Sequence, residues 1–313
     1  MPWTKAQCPD GTITSFEDCL ACDPGCMDIE VREAIFARNA DQDPTHVGHN
    51  INVTSMLGCM RSTYLERTTE YAASPLGMWW TLRGELIHRL VERPDHDNPE
   101  LRRSELQLSA ELDGIPITGR VDNYKLRFLD YGVLKDWKSI GDNGLQYIIY
   151  DGAKEDHVWQ TNIYAWLLRK NGYRVDTIEI AYLSLMQVVK TGTQAGFHEY
   201  LASPPAKTGR RRNMTGRPEL IKEYGSGKRK WHCTYAIPHV PLYDMETIEN
   251  FIRPKALELH RAFTTGTIPG LPSAEVMNWK CDGYCNVQAL CDQIERNAVT
   301  AKHEIPSALY ASS

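Results

Sequence analysis

The sequence predicts an α/β fold of the α+β kind, a central mixed sheet flanked by helices. Three observations carry that prediction. A helix pattern is stopped by Pro94, an Asp113-Gly114 turn joins two alternating strands, and a second helix ends at Asn171-Gly172 before further strand patterns. Helix, three strands, helix, then more strands is the element order of a layered core.

The first helix is read over Thr81–Arg93, where Leu82, Leu86 and Leu90 recur with Ile87 and Val91 at helical spacing. Leu106, Leu108, Ala110 and Leu112 then alternate with polar residues, and Ile115–Val121 returns after the Asp-Gly turn. Tyr131–Trp137 reads as a third strand. A helix covers roughly Asp156–Lys170, with Asn-Gly at its end as a C-terminal signal. Asp176–Val189 and Lys230–Ile237 are strand patterns joined by a polar connection of about forty residues. A last helix spans Asp244–Phe263, with Pro254 expected to kink it.

A chain of 313 residues suffices for one large domain or two modest ones and can bury a core without disulfides. No run of 18 apolar residues is present, so no membrane span or membrane partner is expected. The first residues, Met1-Pro2-Trp3-Thr4-Lys5, lack a secretory layout, which points to the cytoplasm, of a bacterium, an archaeon or a phage-infected host cell. The net charge of −5 excludes a purely electrostatic nucleic-acid coat, though not an enzyme that meets phosphate through metal ions and a local basic patch. Such a patch exists. Residues 201–235 carry nine Lys or Arg against two Glu, including Arg210, Arg211, Arg212, Lys228, Arg229 and Lys230, as candidate contacts to a DNA backbone.

Nine cysteines cluster at the two ends: Cys8, Cys19, Cys22 and Cys26 early, and Cys281, Cys285 and Cys291 late, with Cys59 and Cys233 apart. Without a signal peptide this pattern points to metal instead of disulfides. The early four could bind one Zn²⁺ as a knuckle. The late three leave a four-coordinate site one ligand short, and Cys59 could complete it; spacing alone leaves zinc and iron–sulfur both open. The division read along the chain is a Cys-rich module at 1–50, a catalytic domain at 51–295 and a tail at 296–313.

The most chemical segment is Gly119-Arg120-Val121-Asp122 followed by Asp136-Trp137-Lys138. Asp136 and Lys138 share a strand face, because strand side chains repeat every two residues. If the two strands pair, Asp122, Asp136 and Lys138 converge, and two hard carboxylates suit Mg²⁺ or Mn²⁺. A lysine beside them can orient a water and counter phosphoryl charge. His88 flanks the apolar stripe of the first helix and can reach the strand ends, and Gln160 and Tyr164 lie four apart on one helix face.

The ordered set His88, Asp122, Asp136-x-Lys138, Gln160-x3-Tyr164 resembles the PD-(D/E)xK nuclease superfamily, in its RecB-type branch, over roughly residues 51–295. The resemblance implies a restriction-endonuclease-like core, with His88, Asp122 and Asp136 holding the metals. It implies Lys138, Gln160 and Tyr164 as further catalytic residues and DNA as substrate. Cys59 together with Cys281-x3-Cys285-x5-Cys291 resembles the iron–sulfur members of that branch, such as the AddB-type nucleases and the CRISPR-associated single-stranded-DNA exonucleases. There the usual trio is C-x2-C-x5-C, and a [4Fe–4S] cluster fastens the two ends of the chain. The implied function is a metal-dependent exonuclease on single-stranded or frayed DNA, in recombination, repair, phage replication or processing of the CRISPR-adaptation kind, with a helicase or integrase as partner. The alternative is a non-catalytic iron–sulfur or zinc scaffold that binds nucleic acid; the intact Asp/Asp/Lys set argues against it. A redox protein is disfavoured because no flavin or dinucleotide fingerprint accompanies the cysteines.

Overall fold

The structure, a computed structural model, describes residues 3–23, 25–40, 50–92, 102–127, 130–192, 219–223, 229–272, 281 and 285–303. In chain order the elements begin with β1 (Lys5–Gln7), β2 (Ile13–Thr14), α1 (Phe16–Ala21) and α2 (Ile29–Ala40). They continue with β3 (Ile51–Asn52), α3 (Val53–Leu57), α4 (Met60–Thr68), β4 (Ala72–Ala73) and α5 (Pro75–Glu92). Then come β5 (Arg102–Leu112), β6 (Ile115–Arg127), β7 (Tyr131–Ile140), α6 (Asp142–Asp151), α7 (Glu155–Lys170) and β8 (Thr177–Gly192). The described elements end with β9 (Glu219–Glu223), β10 (Arg229–Ala236), α8 (Met245–Thr265) and α9 (Gln288–His303).

By contact the chain forms two compact units. One holds residues 1–50, 58–80 and 257–313; the other holds 51–57 and 81–256. This division differs from the one read along the sequence, because residues 1–50 cluster with segments from much later in the chain.

The first unit is built on small elements. β1 pairs antiparallel with β2 and parallel with β4. The turn at Cys8–Thr12 closes with Gly11 N–H donating to the Cys8 carbonyl, and Gly11 takes a φ of 88° that favours glycine. Ser15 caps α1 by accepting the Asp18 N–H. The rings of Trp3, Phe16 and Phe36 pack together, with centroids 4.4–5.5 Å apart. α4 and α9 are joined by an ion pair between Arg61 and Glu295 at 2.7 Å.

The second unit is a seven-stranded mixed sheet in the order β3-β6-β7-β8-β10-β9, with β5 on the other edge of β6. The β5–β6 hairpin follows the Asp-Gly reading. Leu112 pairs with Ile115, and Asp113 and Gly114 take φ values of 53° and 78°, as a type I′ turn requires. β7 and β8 are parallel, and a parallel neighbour needs a long crossover, here supplied by α6 and α7. The polar connection after β8 contains β9, which its composition did not reveal. The three helix readings fall on α5, α7 and α8, and Pro254 lies inside α8.

Leu86 and Leu90 of α5 are 55% and 74% exposed. Gly84 instead approaches the end of β7, where an added Cβ would lie 3.4 Å from Ser139 Oγ. His88, one turn on, faces the sheet with it. A small residue followed by a polar one makes the contact, a pattern that hydrophobic spacing cannot register.

α7 covers one face of the sheet, burying Val158 and the run Thr161–Leu168. Gly119 of β6 sets how closely it comes. A Cβ there would lie 2.6 Å from Leu167 and 3.0 Å from Tyr164. Gly119→Ala is therefore expected to destabilise the protein by about 1–3 kcal/mol through overpacking. Urea unfolding tests this, and an unchanged midpoint would remove the close-approach role. No helix of the described residues is long and apolar enough to cross a membrane.

Candidate active site and thiol clusters

The sheet brings the chemistry of three strands into one row. The Asn123–Lys135 pair in the β6–β7 register puts Asp122 across from Asp136 on the same face. Counting back from the Asp-Gly turn puts Glu105 of β5 across from Asp122, between the pairs Ser104–Asn123 and Leu106–Val121. Glu105 has a left-handed φ of 50°, a strained conformation for a residue with a side chain. Lys138 follows Asp136 on the same face, two residues along the strand.

His88 Nδ1 lies 3.5 Å from Asp122 Oδ2, and that same oxygen accepts the Trp137 N–H at 2.9 Å. Among the described residues, His88, Glu105 and Asp122 form the one group of three or more His, Cys, Asp or Glu side chains whose ligand atoms all lie within 4.8 Å. Asp136 is 1% exposed. Its Oδ1 accepts from Lys138 Nζ at 3.2 Å. Its Oδ2 lies 2.9 Å from the same ammonium but makes no hydrogen bond of acceptable geometry. The predicted trio of His88, Asp122 and Asp136 is thus partly regrouped. His88 and Asp122 meet Glu105, while Asp136 stands beside Asp122 and holds Lys138.

The donor set fits a hard divalent cation. Its atoms are carboxylate oxygens and one imidazole nitrogen, and a buried carboxylate oxygen is left without a hydrogen bond. The electrostatics agree. Burial, then the charge of Asp136, push the Asp122 carboxyl up to about 8, against the opposing pull of Lys138 and the Trp137 N–H.

That shift has a signed consequence. Asp122 keeps its proton in the folded metal-free protein to a higher pH than in the unfolded chain. Between the ordinary carboxylate range and about 8, the stability of the metal-free protein therefore falls as pH rises. A divalent cation needs the ionised form, so its binding releases a proton below about 8 and its affinity should rise about tenfold per pH unit up to that point. Thermal melting with and without Mn²⁺ at several pH values tests this. The Mn²⁺-dependent rise in Tm should grow from pH 6 to pH 8, and a constant rise would refute it.

α7 passes within electrostatic reach of the row, since Asp136 and Asp122 both act on Tyr164. Gln160 Nε2 donates to Tyr164 Oη at 3.2 Å, so the two predicted residues meet each other. Burial, then Asp136, raise the Tyr164 hydroxyl above the usual phenol range and keep it protonated. His157, three residues before Gln160, was not anticipated. Its Nδ1 lies 2.8 Å from Tyr182 Oη, and Tyr182 stands beside Lys138 across the β7–β8 pair. Since Tyr182 Oη already accepts the Lys154 N–H, its own proton is free for Nδ1. Burial, then Lys138, push His157 down to about 4, so its imidazole stays neutral.

The thiol sets both fall in the first unit. Cys59 is the N-cap of α4, with Sγ accepting the Ser62 N–H at 3.4 Å. Cys291 lies in the first turns of α9, and its N–H donates to the Val287 carbonyl. Burial pushes the Cys285 thiol up to about 11, and Glu66, Cys281 and Cys59 add to the effect. Burial raises the Cys291 thiol, Arg61 opposes it and Cys59 adds to it, so Cys59 is an electrostatic neighbour of the late cysteines. In the early set, burial and then Asp10, Cys19, Cys22 and Cys26 raise Cys8. Arg32, buried beneath that set, donates to the carbonyls of Cys19 and Cys22. Arg210, Arg211, Arg212 and Lys228 lie outside the described residues, and Arg229 and Lys230 begin β10.

A search of curated proteins returned no match. The crystal structure of SSO0001 is similar at 14% identity and a TM-score of 0.42, covering 84% of this chain and 94% of that one. That score is too low to bear on fold or function. The family model of the PD-(D/E)XK nuclease superfamily matches residues 49–292, a span that holds all of the row built above, and the chain belongs to that superfamily.

Proposed function

We propose that the protein is a divalent-metal-dependent deoxyribonuclease that removes nucleotides from single-stranded or frayed DNA ends. The observation that carries this reading is the row Glu105–Asp122–Asp136 across three neighbouring strands, with His88 at one side and Lys138 at the other. Mg²⁺ or Mn²⁺ held by His88, Glu105 and Asp122, with Asp136 adjacent, would acidify a bound water and neutralise charge at the scissile phosphate. The chain's own groups do the remainder. Asp136 fixes the Lys138 ammonium, which orients the attacking water and faces the charge that develops on the phosphoryl oxygens. Gln160 and Tyr164, bonded to each other, steady the strand near the scissile bond. The neutral His157 keeps a second positive charge away from Lys138. Arg210, Arg211, Arg212, Lys228, Arg229 and Lys230 serve as contacts to the DNA backbone.

Cys59, Cys281, Cys285 and Cys291 are proposed to hold one [4Fe–4S] cluster. The all-thiolate set and the nearness of Cys59 to the late cysteines support it. The test of the activity is incubation of anaerobically purified protein with end-labelled single-stranded DNA. Mn²⁺ should give progressive shortening from an end, and EDTA none. A circular single strand should survive; its cleavage would overturn the exonuclease mode, and no cleavage of any DNA would overturn the enzyme.

A further inference from the structure

Arg120 lies two residues before Asp122, so its side chain shares the face of β6 that carries the catalytic row. Its Nε is 2.7 Å from Glu105 Oε2, in an ion pair whose side chains are 53% and 30% exposed. The guanidinium also acts electrostatically on Tyr164, whose ionisation it favours. Arg120 is thus a half-exposed cation beside the row, and its partner is the carboxylate that also groups with His88 and Asp122. Glu105 reaches that position only through a left-handed backbone that a glycine would adopt without strain. Nearby, the buried Asp136 Oδ2 lies 2.9 Å from the Lys138 ammonium without a hydrogen bond of acceptable geometry, so one more cation could be accommodated beside it.

We propose that Glu105 is a metal ligand whose counter-ion, in the metal-free protein, is Arg120, and that metal loading releases the Arg120 guanidinium to bind a phosphate of the DNA strand. The physical reason is competition for one negative charge. A divalent cation at Glu105 draws the carboxylate's charge to itself and weakens its hold on the guanidinium. Arginine's planar donor fork then matches a phosphate, to which it can donate two parallel hydrogen bonds. Metal and DNA binding become linked, each favouring the other. The phosphate part of this inference rests on the nuclease reading; the exchange of Arg120 for a cation does not.

The test is Mn²⁺ titration of the whole protein without DNA, followed by electron paramagnetic resonance of the free ion. Glu105→Gln should weaken Mn²⁺ binding about tenfold or more, for loss of a charged ligand. Arg120→Gln should strengthen it several-fold, because a competing cation is gone. DNA binding is then measured with a fluorescent oligothymidine in the Lys138→Ala background, which leaves the strand intact. There Arg120→Gln should weaken binding about tenfold with Mn²⁺ and much less without it. Glu105→Gly is the folding control, since it removes the ligand and keeps the backbone conformation; it should melt no lower than the parent and bind Mn²⁺ as poorly as Glu105→Gln. Unchanged Mn²⁺ affinity in both Glu105 variants, weaker Mn²⁺ binding in Arg120→Gln, or an equal loss of DNA affinity with and without Mn²⁺ would each overturn the proposal. If the Mn²⁺ responses appear and wild-type protein cuts no DNA, the exchange stands and the nuclease reading fails.

Discussion

Replacing Asp136 by Ala is expected to lower Mn²⁺-dependent DNA cleavage by about 10³-fold or more, the cost of removing several kcal/mol of transition-state stabilisation. Asp122→Ala and Lys138→Ala should do the same, for different reasons. Asp122 is the proposed ligand beside His88 and Glu105. Asp136 is the group that locates the Lys138 ammonium, with contacts of 2.9 and 3.2 Å. The losses should therefore be strongly non-additive between Asp136 and Lys138, because one acts through the other. Asp136→Asn separates charge from shape. It keeps an acceptor for Lys138 but removes the negative charge that raises Asp122, so the Asp122 carboxyl should titrate lower in this variant. The fold should survive Asp122→Ala and Asp136→Ala, which relieve carboxylate–carboxylate repulsion in the row, whereas Lys138→Ala leaves the buried Asp136 without its counter-ion and should melt somewhat lower. Cleavage by Asp136→Ala at the wild-type rate would remove the assignment.

Much of this site was legible in the sequence, for reasons that differ by residue. Asp122, Asp136 and Lys138 could be placed because strand periodicity is two and the pairing of β6 with β7 follows from a short connection. Glu105 was legible in principle and went unread. A two-residue Asp-Gly turn fixes the register as Leu112 with Ile115, and the same count puts Glu105 opposite Asp122. What the count cannot supply is the left-handed backbone at Glu105, which belongs to the folded sheet. His88 could be placed because it flanks the apolar stripe of α5, whereas the approach of Gly84 to β7 leaves no hydrophobic signal to read. His157 was not legible at all. Its place depends on Tyr182 from a strand that follows it, and only the crossover brings the two together. The two compact units were equally hidden, since they join segments from both ends of the chain.

Cys59→Ala carries the second large expected effect. Anaerobic protein should be brown, with broad absorption near ~400 nm from thiolate-to-iron charge transfer, and this variant should lose that colour. It should also lose stability, although Cys59 lies outside the compact unit that holds the carboxylate row. Cys59 and Cys281 are 222 residues apart in the sequence. A cluster that ties them closes a very long loop, and chain-entropy reasoning makes such a clip worth about 5 kcal/mol, by analogy with a disulfide. The metal also has a proton barrier to overcome, because burial holds the Cys285 thiol up to about 11 and a ligand must be a thiolate. Incorporation should accordingly release protons and proceed faster at higher pH. Cys22→Ala is the control, since Cys22 is exposed and belongs to the early set; it should keep the iron colour. Iron analysis decides the matter at about four iron per chain in the parent and none in Cys59→Ala. Colourless parent protein that binds zinc at these four cysteines would remove the cluster, while the carboxylate row in the other unit would still be tested by its own variants.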